Sequence, residues 1–191
     1  MSKQPAPQDA HWPEGAVFTV GHSTSPIETF VAVLHTYGIA CVADIRTVPR
    51  SRHNPQFNGD ALGRALTPEH IEYVALPALG GLRHARKDSS NTGWRNTSFC
   101  GYADYMQTEG FAEGLATLVQ MSRQKRTAIM CAEAVPWRCH RSLVADALNV
   151  RGIPAVELFS ESSYRLHRLT PFAHVEGTHL TYPPEQSTLL L

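Results

Sequence analysis

The chain has 191 residues, 42% of them apolar, with 17 Lys and Arg balancing 17 Asp and Glu. That size fits one globular domain with a proper core, and two full domains would each be too small. No apolar run approaches the roughly 20 residues of a bilayer span, the first residues lack the apolar stretch of a secretory signal, and the four cysteines are too irregularly spaced for a disulfide framework. A soluble, cytoplasmic protein with reduced thiols and no membrane partner is expected.

Residues 1–14 read as an unpacked tail, residues 15–180 as the domain, and residues 181–191 as a second tail. Ala16 to Val20 is a compact β-prone run ending at Gly21-His22-Ser23-Thr24. Ser25-Pro26-Ile27-Glu28 then combines a capping-box pattern with Pro at the first helical position. Ile27, Phe30, Val31 and Leu34 supply the buried stripe of that helix, and Gly38 its stop. Ile39 to Asp44 reads as an interior strand, so residues 16–45 are expected to form a βαβ unit whose two strands pair in parallel.

Residues 46–58 carry Pro49, Pro55, Asn54 and three Arg, which is loop chemistry. A short helix over Ala61–Leu66 and a strand over Ile71–Leu76 follow, then a long polar, Gly-rich segment from Pro77 to Phe99; such loops in compact domains are usually functional or mobile. A helix pair over about 100–122 leads to the apolar run Thr127–Met130. The next helix begins near Cys139, buries Leu143, Val144, Ala147 and Leu148, and stops at Gly152; a last strand covers Pro154–Phe159. This alternation predicts a single α/β domain: a mainly parallel sheet with helices on both faces, in three layers.

In open sheets of this kind ligands bind beyond the carboxyl ends of the strands. That rule gathers His22-Ser23-Thr24, Asp44-Ile45-Arg46 and Cys131-Ala132-Glu133 at one edge. These motifs, with Pro49-Arg50-Ser51-Arg52, Phe57, Leu79-Gly80-Gly81, Arg83 and Cys139-His140-Arg141, resemble the bacterial and archaeal "domain of unknown function 488" family, in order over roughly residues 16–160. The resemblance implies an α/β fold and a shared polar site. It implies no activity, so function rests on the chemistry of the residues.

The stretch from Cys131 to Arg141 places two thiols, a carboxylate, an imidazole and two guanidiniums where a strand turns into a helix. Helix starts favour anions, which makes the Cys139-His140-Arg141 end a candidate anion site. Net neutrality hides a basic middle, since residues 46–95 carry eight Lys or Arg against four acids. Arg46, Arg50, Arg52, Arg83 and Arg141, with Ser23 and Cys139, are the candidate anion-binding residues, Arg being suited to bidentate contact with phosphate.

His22, Asp44, Glu133 and His140 are candidates for proton transfer or orientation, and Cys131 for nucleophile, metal ligand or bystander. The structural alternative pairs Asp44 with Arg46 or Arg141, and Glu133 with Arg83 or Arg138. Six residues separate Cys131 from Arg138 where thiol phosphatases and sulfurtransferases have five. Cys131, Cys139, His140 and His22 are suitable zinc ligands, yet their spacing matches no zinc signature and no metal or other cofactor is assigned. Phe57, Trp94 and Trp137 are candidates for stacking on a base. The leading expectation is an anionic ligand, a nucleotide or nucleic acid, at a possible catalytic site. The alternatives are a non-catalytic nucleic-acid-binding module and a thiol- or zinc-dependent enzyme.

Overall fold

The computed structural model describes residues 6, 7 and 10–184. Five helices surround a six-stranded sheet: α1 is Ile27–Thr36, α2 Gly59–Leu66, α3 Thr97–Tyr105, α4 Glu109–Gln124 and α5 Arg141–Asn149. The strands β1 (Val17–Gly21), β2 (Cys41–Asp44), β3 (Glu72–Ala75), β4 (Thr127–Cys131), β5 (Ala155–Ser160) and β6 (Ser163–Leu166) lie in the order β3-β2-β4-β1-β5-β6. All pairings are parallel except β5 with β6. A separate hairpin joins β7 (His174–Glu176) to β8 (His179–Thr181). The α/β architecture expected from the alternating elements is present.

Side-chain alternation divides the core into two halves. Phe18, Val20, Val42, Ala128, Met130 and Val156 face α1 and α2, while Val17, Ala43, Ile129, Cys131 and Ala155 face α3, α4 and α5. Gly38 and Gly152, both at positive φ, end α1 and α5 as their spacing predicts.

Two local expectations need correction. Strands β1 and β2 are parallel but do not pair, because β4 lies between them. Every residue of β4 is buried, and an apolar strand gains most from neighbours on both edges. No capping box forms at α1: Pro26 occupies the cap position and no side chain caps the helix. Aromatic residues near both limits of the described chain also pack against the domain. Trp12 meets Phe18 and Tyr164 edge-on at 5.4 and 4.8 Å, and Tyr182 is fully buried. Aromatic rings supply enough apolar area to hold a short segment; positions 1–5, 8, 9 and 185–191 lie outside the described residues.

The long segment after β3 is tied down as well. Asp104 on α3 accepts hydrogen bonds from Ser89 Oγ, Asn91 Nδ2 and the Arg86 backbone, at 2.6, 2.7 and 2.8 Å. Asn91 Oδ1 in turn accepts from the Tyr182 N–H at 2.9 Å. Among the described residues no helix is long and apolar enough to cross a membrane.

Candidate functional site

The register of the parallel strands brings their carboxyl ends level, with Gly21 opposite Cys131 and Asp44 opposite Met130. The chain leaves β1 over α1 toward β2 and leaves β4 over α5 toward β5, on opposite faces and in opposite directions. Such a switch point opens a crevice between adjacent strands. Here it holds a cavity of about 890 Å³ lined by His22, Arg46, Arg50, Cys131, Glu133 and His140, among others. Separate stretches of sequence therefore do meet at one rim.

Ser23 makes the turn out of β1 at φ 47°, a left-handed conformation that non-glycine residues seldom adopt. Backbone bonds from His22 N–H to Cys131 O (3.1 Å) and from Ser23 N–H to Ala132 O (2.9 Å) carry the β1–β4 pairing past the strand ends. Gly21 permits this approach: a Cβ there would sit 1.8 Å from Glu133 O and 2.7 Å from Arg141 Nη2. Arg141, buried to 1% exposure, donates from Nη2 to Glu133 O at 2.6 Å, and its Nε has no partner. It fastens the β4–α5 loop from beneath and does not line the cavity.

Asp44 and Arg46 form a buried pair. Arg46 donates from Nε to Asp44 Oδ1 (2.8 Å) and from Nη2 to Oδ2 (2.6 Å), while Tyr73 OH donates to the same Oδ2 at 2.8 Å. Burial, then the carboxylate, raises the Tyr73 pKa, so it stays a donor. Arg46 Nη1 donates to His22 Nε2 at 3.2 Å, which makes that nitrogen the acceptor and leaves Nδ1–H to donate to Ser23 O at 2.7 Å. Burial lowers the His22 pKa, with Arg46 assisting, and the neutral ring stacks on Phe57 at 4.2 Å. His22, Asp44 and Arg46 thus hold one another. Phe57, fully buried, belongs to this support and is not free to stack on a base.

Of the five arginines expected to bind an anion, Arg50 alone both lines the cavity and keeps its side chain free of protein partners among the described residues. Arg46 and Arg141 are engaged as above. Arg83 lies over the Tyr105 ring at 3.5 Å and donates to Gly80 O at 3.1 Å; Arg52 is exposed and does not line this cavity. Each long side chain reaches the nearest π-face, carboxylate or water that its backbone position allows. Arg138, considered from the sequence as a partner for Glu133, instead lines the cavity, and Glu133 is in no ion pair among the described residues.

At the floor lie Cys131, Cys139 and His140, with their ligand-type atoms all within 4.8 Å of one another. His140 Nδ1 is 4.0 Å from Cys131 Sγ and 3.7 Å from Cys139 Sγ. Its Nε2 lies 3.2 Å from Ile45 O, a pure acceptor, so Nε2 donates there and Nδ1 is the nitrogen that faces the sulfurs. The two thiols influence one another: Cys139, then burial, raises the Cys131 pKa, whereas Cys131 shifts Cys139 well below an ordinary thiol, against its burial. Gly81 lies against the ring, where a Cβ would come 2.4 Å from Nδ1. This group has the makings of a nucleophile with an adjacent base or of a three-ligand metal set. His22 stands outside it, with both ring nitrogens occupied. Cys41 and Cys100 are buried elsewhere.

A second cavity of about 590 Å³ adjoins the first, sharing Asn96, Phe99, Glu133 and Arg138 and adding Trp94, Trp137 and Phe172. Trp94 Nε1 is buried without a partner. Sequence reading noted both tryptophans but had no means of finding Phe172, which arrives from a distant segment.

The family model described as "Domain of unknown function DUF488" matches residues 26–148, well over half of the chain. No curated protein and no solved structure matches it. The chain belongs to this domain of unknown function family.

Proposed function

We propose that this member of the family is an enzyme that takes a phosphate-bearing small ligand, a nucleotide or a compound built like one, into the cavity at the carboxyl edge of its sheet. The observation that carries the reading is the convergence of two partner-free guanidiniums, an unpaired carboxylate and a thiol–imidazole group on one cavity. Its volume falls in the range of ligand sites, about 300–1,000 Å³. Arg50 and Arg138 hold phosphate by charge-assisted hydrogen bonds. Glu133 moves a proton, and Cys131, Cys139 and His140 form the reactive centre. A flat ring enters the adjoining lobe between Trp94 and Trp137, where Trp94 Nε1 donates to a ring acceptor.

The alternative of a nucleic-acid-binding module draws less support, since Arg46, Arg83 and Arg141 are each engaged by protein groups. Calorimetric titration with inorganic phosphate, a nucleoside monophosphate and a single-stranded oligonucleotide separates the readings. One saturable mononucleotide site, weakened about tenfold by Arg50→Ala, is expected, as for loss of one hydrogen bond to a charged group. Absence of mononucleotide binding, or oligonucleotide binding that collapses steeply with added salt, overturns it.

A further inference from the structure

We propose that Cys131, Cys139 and His140 form a binding site for a single soft divalent cation, Zn²⁺ or an ion of similar preference, with its fourth coordination position open to the cavity. For its chemical use the site rests on the function proposed above; its occupancy does not.

Donor type and spacing support the assignment. Two thiolates and an imidazole suit zinc, and three protein ligands with one open position is the arrangement of catalytic zinc sites. With Zn–S near 2.3 Å and Zn–N near 2.0–2.1 Å, a tetrahedral ion sets its sulfur and nitrogen ligands about 3.5 Å apart. The two observed separations, 3.7 and 4.0 Å, close to that value with small side-chain shifts. On binding, any proton still held by the thiols goes to solvent, and two thiolates balance the charge of the ion.

Three further features point to a ligand at this spot. His140 has the orientation a metal needs, because Nε2–H is spent on Ile45 O and Nδ1 is turned toward the two sulfurs. A ligating histidine typically gives its other N–H to a carbonyl or carboxylate in this way. Gly81 leaves room for the ring itself, since a Cβ there would lie over its face, 2.4 Å from Nδ1 and 2.8 Å from Cε1 and Cγ, and would displace the imidazole from the sulfurs. Moreover, Arg141 is fully buried with only carbonyl oxygens as side-chain partners among the described residues, and its backbone N–H donates to Cys139 Sγ at 3.5 Å. A buried guanidinium without a carboxylate favours anionic sulfur beside it. Cys131 and Cys139 both border the cavity, so an ion between them reaches the bound ligand.

The test uses the full chain, stripped of metal with a chelator under reductant and then titrated with Co²⁺ and with Zn²⁺. One equivalent of Co²⁺ is expected, with sulfur-to-cobalt charge-transfer absorption and the intense visible bands of four-coordinate cobalt, displaced stoichiometrically by Zn²⁺. Cys131→Ser and Cys139→Ser are each expected to lower affinity at least about 100-fold, beyond the usual effect of losing an outer-shell partner, while Cys41→Ser leaves it unchanged. Circular dichroism of the metal-free variants confirms that they fold. No stoichiometric binding, weak octahedral cobalt bands, or full affinity in the Cys131→Ser/Cys139→Ser double variant overturns the site. A protein that loads the ion but ignores nucleotides supports the metal site and overturns the phosphate reading; one that binds nucleotide but no ion does the reverse.

Discussion

Helix α5 contributes to two histidine-centred polar groups, and they differ in how completely the protein satisfies them. At its start, His140 gives one ring nitrogen to Ile45 O and turns the other toward two sulfurs bordering a cavity. Further along, Asp146 accepts hydrogen bonds from His167 Nε2, the Thr170 N–H and hydroxyl, and Tyr182 OH. His167 Nδ1 completes that group by donating to Glu157 Oε1 at 2.8 Å, and Arg165 pairs with Glu157. Both nitrogens of His167 are spent on carboxylates; one nitrogen of His140 is not spent on anything comparable. A closed polar network ties elements together, here α5, β5 and the segment leading to Tyr182, whereas an incomplete one beside a cavity is shaped for something that arrives from outside.

Replacing Asp146 makes the sharpest break between the two. Asp146→Ala strands the buried His167, Thr170 and Tyr182 groups, and a loss of about 3–5 kcal/mol of stability is expected from urea unfolding, as for other broken buried pairs. Cys139→Ala in metal-free protein, measured the same way, is expected to lose far less, because Arg141, the buried charge beside the sulfurs, keeps its hydrogen bonds to the Glu133 and Ala134 carbonyls. Equal losses would remove the distinction.

Acidity provides the next contrast. Burial works against the charge on His167, but Asp146 and Glu157 outweigh it and raise its pKa from 6.5 to about 9. A group held above its unfolded value stabilises the fold fully below the unfolded pKa, and that contribution fades as pH rises through the folded one. Stability is therefore expected to fall by about 3 kcal/mol, the worth of such a shift, between pH 6.5 and pH 9. His167→Gln should flatten that slope in denaturant titrations; an unchanged slope would assign the pH dependence elsewhere.

The smallest effect on the fold, and the most specific to the open group, belongs to Gly81. Gly81→Ala places a methyl 2.4 Å from His140 Nδ1 and must push the ring aside. Metal affinity is expected to drop about 10–100-fold, as for other changes that misorient a ligand, with stability altered by under about 1 kcal/mol at this partly exposed position. Unimpaired cobalt spectra in Gly81→Ala would show that Nδ1 is not a ligand.

Much of the architecture was legible along the chain. Apolar runs without turn residues marked β1, β2 and β4, and Gly38 and Gly152 marked the ends of α1 and α5, because these signals act over a few residues. Strand neighbours were not legible in the same way: nothing local to Ala16–Asp44 says that β4, more than eighty residues later, separates β1 from β2. The last three strands also escaped notice, since β6, β7 and β8 are short and mostly exposed and carry little apolar pattern. The Asp146–His167–Glu157 group was invisible for the same reason, its members meeting only after β6 folds back on β5.

For the rim, sequence alone determined which chemical groups arrive, because the turn after each parallel strand must emerge at the carboxyl edge. It therefore set out His22, Asp44, Arg46, Cys131, Glu133, Cys139 and His140 as neighbours. Which of them remain available was decided only in three dimensions. A guanidinium or imidazole takes the nearest satisfactory partner through space, and Asp44, the Glu133 carbonyl and Tyr105 claimed Arg46, Arg141 and Arg83. What stayed open among the described residues were two cysteines, one histidine nitrogen and two arginines around a cavity, because the elements that border it leave these groups facing its space.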